Sequence, residues 1–199
     1  LPSDHVVTDI AAFGAAVELA KAAAREGHIV SFCVTPEAPE TGYGYIQLGE
    51  VLGAANGVHR VRAFKEKPDS DTAAFYVAEG GYCWNSGMFV FRADVMIAEL
   101  NRHAPGMATA CRSALEKSKR DLDFVRLDAE AFGHAASISI DYAVMEKTDK
   151  AAVVPCSLGW SDVGAWSSLW ALQTRDDADN VFQGDVVMHN ASGSFVRSD

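Results

Sequence analysis

The sharpest constraint on the fold is one junction. Residues 8–27, TDIAAFGAAVELAKAAAREG, run almost directly into residues 29–35, IVSFCVT. The first segment is rich in Ala, Leu, Glu and Lys, which propagate a helix. Thr8 or Asp9 can cap its start, and Gly27 can end it. Ile10, Phe13, Val17 and Ala20 form one apolar stripe along it. The second segment is short, β-branched and mostly apolar, as a strand covered on both faces must be. A helix that feeds a doubly covered strand predicts an α/β fold. With 199 residues the chain can bury one such core, or a core with an appendage.

The rest of the chain extends this pattern. After the irregular loop PEAPETGYG, the segments YGYIQLG and VHRVRAFKE predict two strands joined by the turn GAANG. SDTAAFYVAEGG predicts a short helix, capped by Asp69 or Ser70 and stopped by Gly80 and Gly81, before the apolar strand YCWNSGMFVF. Residues 93–121 predict two helices broken near Pro105. SISIDYAVMEK predicts a helix capped by Ser139, and AAVVPCSLG another buried strand leading into the loop and helix of WSDVGAWSSLWAL. After the polar DDADN, the tail GDVVMHNASGSFVRS is β-like, with a turn at Asn190–Gly193. The expected organisation is one domain over 1–175 and a linker with the start of a β-rich element over 176–199. The opening LPSDHVV carries no Met and resembles a strand end and its loop, which predicts an internal fragment lacking its first strands. An open sheet without those strands would have an uncovered edge, and association with a second copy is then expected.

Charge and composition remove several function classes. The net charge of −10 argues against non-specific binding to nucleic acid or anionic membranes. A phosphate ligand would need a local basic patch or a metal ion. No apolar run approaches the roughly 18 residues of a membrane span. Cys33, Cys83, Cys111 and Cys156 show no CxxC spacing and lie among apolar residues, which predicts four reduced core thiols in a cytoplasmic protein. The six histidines show no metal-ligand spacing. There is no P-loop, no nucleophile elbow, and no Ser–His–Asp or Cys–His arrangement.

Four stretches can carry chemistry. In GWSDVGAW, Asp162 lies between two tryptophans and two glycines, just past a predicted buried strand, where open α/β sheets bind ligands. It is either a metal or phosphate ligand or the cap of the following helix. Asp4 in PSDH sits at another predicted strand end, as a turn residue or as a second carboxylate. Two carboxylates from separate strand ends can hold one Mg²⁺, whose shell also keeps waters and substrate phosphates. In FKEKPD, Glu66 lies between Lys65 and Lys67; alternation sends the lysines to one face and Glu66 to the other unless the strand bends. A Lys can hold a phosphate there while the Glu accepts sugar hydroxyls; an ordinary charged strand end has the same pattern. In TGYGY and WNSGMF, Gly42, Gly44 and Gly87 leave room for a flat ligand, and Asn85 can both donate to and accept from hydroxyls; two tight turns have the same pattern.

LPSDH, PETGYGYI, FKEKPD, YCWNSGMFVF, SIDYAVMEK and GWSDVGAW together resemble, in order, the bacterial mannose-1-phosphate guanylyltransferases, also called GDP-mannose pyrophosphorylases. The resemblance runs from residue 1 to about residue 175. It implies a Rossmann-like, GT-A-like mixed sheet with helices on both faces, plus the start of a C-terminal β element. It implies that a phosphate oxygen of mannose 1-phosphate attacks the α-phosphorus of GTP and pyrophosphate leaves. By the same resemblance Asp4 and Asp162 hold Mg²⁺, Lys67 contacts the sugar phosphate, Glu66 the sugar hydroxyls, and Gly44, Asn85 and Gly87 line the mannose pocket. Asp141 faces the sugar or the outer shell of the metal. GTP and mannose 1-phosphate are the implied partners, with no nucleic acid and no membrane, and a homo-oligomer is open. The family's Gly-rich nucleotide segment has no counterpart here, so the chain is expected to synthesise little GDP-mannose alone. The alternatives are a glucose-1-phosphate type of nucleotidyltransferase, or a non-catalytic regulator that binds a sugar nucleotide.

Overall fold

The computed structural model describes residues 2–53 and 57–198. In chain order its first elements are β1 (Val6–Val7), α1 (Ile10–Arg25), β2 (Ile29–Val34), β3 (Gly44–Val51), β4 (His59–Lys65), α2 (Ser70–Glu79), β5 (Tyr82–Val90) and α3 (Ala93–His103). Then come α4 (Pro105–Glu116), β6 (Lys119–Asp121), β7 (Phe124–Arg126), α5 (Ala129–Gly133) and a π-helical turn (Asp141–Met145). The last are β8 (Ala151–Pro155), β9 (Trp160–Ser161), α6 (Trp166–Ala171), β10 (Val181–Gln183) and β11 (Phe195–Arg197). Asp9–Leu158 makes one compact unit, and Ser3–Thr8 with Gly159–Asp199 makes another.

In the larger unit, α1 starts where its cap allows. The Asp9 carboxylate accepts from the Ala12 N–H at 2.8 Å, worth about 1 kcal/mol. Gly27, at φ +94°, turns the chain out of the helix. The buried face follows the predicted stripe only in part: Ala20 is buried and Phe13 reaches Phe32 of β2, but Ile10 does not join them. Ile10 is 68% exposed, while Ala16, Ala20, Ala23 and Ala24 are buried, because small side chains let the helix lie close to the strands. β2 then runs parallel to β8, from Ile29 against Ala151 to Cys33 against Pro155, and antiparallel to β5. The strand order is β2-β5-β3-β4-β8, and β4 pairs with β8 (His59 with Val153, Arg60 with Ala152). That last pairing closes the circuit. The uncovered edge expected of an open sheet is therefore absent among the described residues.

Both faces of β2 are covered, as its composition requires. Phe32 meets Phe13 of α1 with ring centroids 5.8 Å apart. On the other side Ile29 packs with Met96 of α3 and with Ala143, Val144 and Met145 of the π-helical turn. Cys33, Ile46, Cys83 and Val153 pack inside the strand circuit. The expectation of four reduced core thiols is not met. Cys33 and Cys83 are bonded to each other, since neighbouring strands bring their Cα atoms to 5.5 Å. Cys111 is exposed and Cys156 half-buried.

Two further local expectations change. Residues 119–121, expected as the end of a helix, instead form β6, which makes a two-stranded ribbon with β7. SISIDYAVMEK makes one wide turn rather than a capped helix. The Glu146 N–H reaches five residues back to the Asp141 carbonyl at 3.0 Å, and Ser139 contributes its backbone carbonyl, to Ala143, without a side-chain cap. The predicted turn GAANG spans 53–57, of which 54–56 lie outside the described residues. No helix among the described residues is long and apolar enough to cross a membrane.

The smaller unit is built on a short ribbon. β1 pairs antiparallel with β9, Val6 opposite Ser161 and Val7 opposite Trp160. The Trp160 indole N–H donates to His5 Nδ1 at 3.1 Å. Of the predicted β-like tail, residues 184–198, only β11 is a strand; it runs parallel to β10, which precedes the tail. Buried Asn180 ties them: its Nδ2 donates to the Ala191 carbonyl at 3.0 Å, and its Oδ1 accepts from the Ser194 N–H at 3.1 Å.

Candidate active site

The larger unit holds six of the predicted residues and brings five of them, Gly44, Glu66, Lys67, Asn85 and Asp141, into one cluster. β4 ends at Lys65, and Lys67 takes a left-handed backbone (φ +45°), so the chain bends where alternation would otherwise separate Glu66 from the lysines. The Lys67 N–H donates to the Tyr43 carbonyl at 3.2 Å and fixes the bend beside Gly44. Gly44 leaves the space in which the Glu66 carboxylate sits. A Cβ at that position would collide with Glu66 Oε2 and press on the Asn85 Cβ at 3.3 Å. Asn85 comes from β5, opposite Gly44 across the β3–β5 pairing. Its Nδ2 donates to Asp141 Oδ1 at 3.0 Å, which brings in the π-helical turn. Gly87 adds a backbone contact to this cluster. At φ +70° its N–H donates to Asn85 Oδ1 at 3.2 Å, so it backs the side chain that lines the cluster.

This cluster is short of proton donors. Glu66 Oε2 is buried and has no hydrogen-bond partner. Burial, with Asp141 and Glu146 nearby, pushes the Glu66 carboxyl up from 4.5 to about 7, while the Lys67 ammonium opposes the shift. Burial raises Asp141 as well, against the hydrogen bond from Asn85 and the charge of Lys67. Two carboxyls, one amide N–H and one flexible ammonium converge where a glycine leaves space. Such a set accepts from hydroxyl groups and offers a single cation to an anion. Sequence reasoning missed two members. Glu146 Oε1 accepts from the Glu66 N–H at 3.1 Å, and Ser31 of β2 donates to Asn85. Glu146 was findable, because it shares the motif of Asp141. Ser31 had only the signal of being the lone hydroxyl in an apolar strand.

The smaller unit holds the other two predicted residues. Asp4 precedes β1 and Asp162 follows β9, so the antiparallel register sends both out of the same end of the ribbon. Asp162 thus lies past its own two-residue strand, not directly past buried β8. It does not cap α6. Ala165 is the N-cap there, with no side-chain bond, and Asp162 Oδ1 instead accepts from the Gly164 N–H at 3.0 Å. Gly159, at φ +55°, has no room for a Cβ beside the Thr8 hydroxyl, which lets the two strands approach closely. Among the described residues no group of three His, Cys, Asp or Glu side chains could hold a metal by itself. A pair of carboxylates still fits Mg²⁺, which is commonly held by one or two carboxylates plus substrate phosphates and water. A groove between α4 and α5, lined by Thr109, Ser113, Lys117, Glu130 and His134, contains none of the predicted site residues.

Residues 1–179 match the nucleotidyl transferase family. The chain belongs to that family. It is 52% identical over 196 residues to the xanthan biosynthesis protein XanB of Xanthomonas campestris pv. campestris, covering 98% of this chain and 41% of that protein. It is 47% identical over 199 residues to the mannose-1-phosphate guanylyltransferase RfbM of Salmonella typhimurium, covering 100% of this chain and 41% of the relative. The chain therefore spans 41% of the length of these curated relatives. A solved structure from Thermus thermophilus, described as a mannose-1-phosphate geranyltransferase, superposes with a TM-score of 0.83 at 35% identity, over 100% of this chain and 56% of that one. The mixed α/β sheet with helices agrees with the α/β fold expected from the helix–strand pattern and with the nucleotidyltransferase fold implied by the resemblance.

Proposed function

We propose that this chain carries the sugar-phosphate-binding and metal-binding parts of a mannose-1-phosphate guanylyltransferase, which makes GDP-mannose and pyrophosphate from GTP and α-D-mannose 1-phosphate. The observation that carries the reading is the buried, unpartnered Glu66 Oε2 beneath Gly44, flanked by Asp141 and Asn85. A buried acceptor with no donor costs free energy until a ligand supplies one, and a sugar hydroxyl does so. Glu66 and Asp141 would accept from the hydroxyls, Asn85 would donate, and Lys67 would hold the sugar phosphate. Asp4 and Asp162 would hold Mg²⁺, which supplies charge neutralisation for the phosphates when bound. Transfer then needs mainly positioning: a phosphate oxygen of mannose 1-phosphate bonds to the α-phosphorus of GTP as the bond to the pyrophosphate leaving group breaks. A nucleotide substrate would put the reaction in the cytoplasm, and residues 176–199 would open a β-rich element. Calorimetric titration of the chain with mannose 1-phosphate and with glucose 1-phosphate, each with Mg²⁺, tests the reading. Saturable binding that favours the mannose compound is expected. No binding of either, or preference for glucose 1-phosphate, refutes it.

A further inference from the structure

We propose that Ser31, in the middle of β2, is a positioning residue that makes Asn85 a donor-only group at the sugar cluster. The local strand geometry creates the contact. Ser31 pairs with Phe89, but two residues later Cys33 pairs with Asn85, so β5 carries two extra residues across this step. The bulge contains Gly87 at φ +70°. It tucks the Asn85 side chain under β2, and Ser31 Oγ donates to Asn85 Oδ1 at 2.6 Å. The alternative acceptor for that hydroxyl, the Phe32 carbonyl, lies at 3.4 Å. Ser31 is fully buried, so its hydroxyl must find a partner inside the protein.

Oδ1 has two lone pairs, and both are used. One takes the Gly87 N–H at 3.2 Å and the other the Ser31 hydroxyl. The amide orientation follows. The Gly87 N–H can only donate, so the oxygen must face it and Nδ2 must face Asp141, 3.0 Å away. With Oδ1 saturated, a ligand hydroxyl cannot donate to Asn85. One Nδ2 proton holds Asp141 and the other remains for the ligand. Acceptance from hydroxyls then falls to Glu66 and Asp141, the two carboxyls converging there. Without the Ser31 hydroxyl, one lone pair of a buried amide would be left unpaired and the amide would be free to tilt.

This inference rests on the proposed sugar site, and its test separates the two. Ser31→Thr keeps the hydroxyl and Ser31→Val has the same shape without it, so strain from added volume is common to both. Ser31→Ala removes the hydroxyl without adding volume. Nitrogen-15 NMR of the chain follows the Asn85 side-chain amide protons. Wild type and Ser31→Thr are expected to show a slowly exchanging Nδ2 proton, and Ser31→Val and Ser31→Ala one that exchanges at least about tenfold faster, roughly the effect of losing one buried hydrogen bond. Mannose 1-phosphate binding is expected to weaken about fivefold in the Val and Ala variants and to be retained by Thr. If Asn85 exchange is the same in Thr and Val variants, the positioning role is wrong. If exchange depends on the hydroxyl but wild type binds no mannose 1-phosphate, the sugar-site reading fails and the positioning role stands.

Discussion

Replacing Glu66 by Gln should stabilise the protein at alkaline pH while weakening the proposed sugar site. Folding raises the carboxyl from 4.5 to about 7, chiefly by burial. A folded value above the unfolded one means that the native state favours the neutral acid. The stability this confers is complete below about pH 4.5 and is lost as pH climbs through 7. A shift of this size corresponds to roughly 3 kcal/mol in full. Glu66 is only half-buried, so solvent screening cuts this to about 1–2 kcal/mol. The glutamine side chain would be permanently neutral and nearly the same shape. The variant should match wild type near pH 4 and exceed it by about 1–2 kcal/mol at pH 8, with most of the gain appearing between pH 5 and 7. Urea denaturation at fixed pH steps, followed by tryptophan fluorescence, reads this directly. The same substitution should weaken mannose 1-phosphate binding at pH 8, because a carboxylate that accepts from two hydroxyls becomes an amide that accepts from fewer. A stability difference that does not change with pH would refute the assignment of a raised carboxyl. A variant that gains stability and keeps full binding would refute the role of Glu66 in holding the ligand.

Three other substitutions probe the remaining geometry. Gly44→Ala should abolish mannose 1-phosphate binding in calorimetry with little change in thermal midpoint, because the new methyl displaces the Glu66 carboxylate, the end of a flexible side chain, and fills the ligand's space; unchanged affinity would show that the space is not used. Lys67→Ala should raise the KM for mannose 1-phosphate far more than the KM for GTP in a GDP-mannose-forming enzyme carrying this segment, and equal effects on both would count against a sugar-phosphate contact. Asp162→Asn in the same enzyme should lower kcat by about a hundredfold or more, the scale of losing a charge-stabilising group at a reacting phosphate. Wild-type turnover would reduce Asp162 to the acceptor of the Gly164 N–H.

What the sequence shows about this site follows from how locally each part is determined. α1 was legible because Asp9 and Gly27 mark its ends within their own turns, and Pro105 separates α3 from α4 for the same reason. The closing of the strand circuit was not legible. It pairs the charged HRVRAFK of β4 with the apolar AAVVP of β8, some ninety residues later, and no local preference specifies that register. The Cys33–Cys83 bond depends on another long-range pairing, of β2 with β5. The site divides along this line. Glu66, Lys67 and Asn85 could be singled out from residue type within short motifs, and Asp141 from the resemblance carried by SIDYAVMEK. Their mutual arrangement could not. The bend at Lys67 needs a left-handed residue that nothing in FKEKPD demands, and the link from Ser31 to Asn85 needs a two-residue bulge seen only when β2 and β5 are paired. Asp162 is the instructive intermediate case. Its neighbours allowed either a helix cap or a ligand, and the cap reading fails because α6 begins four residues later with no side-chain bond at its start. What then distinguishes Asp162 is the ribbon, which sends Asp4 out of the same end, and that pairing joins segments more than 150 residues apart.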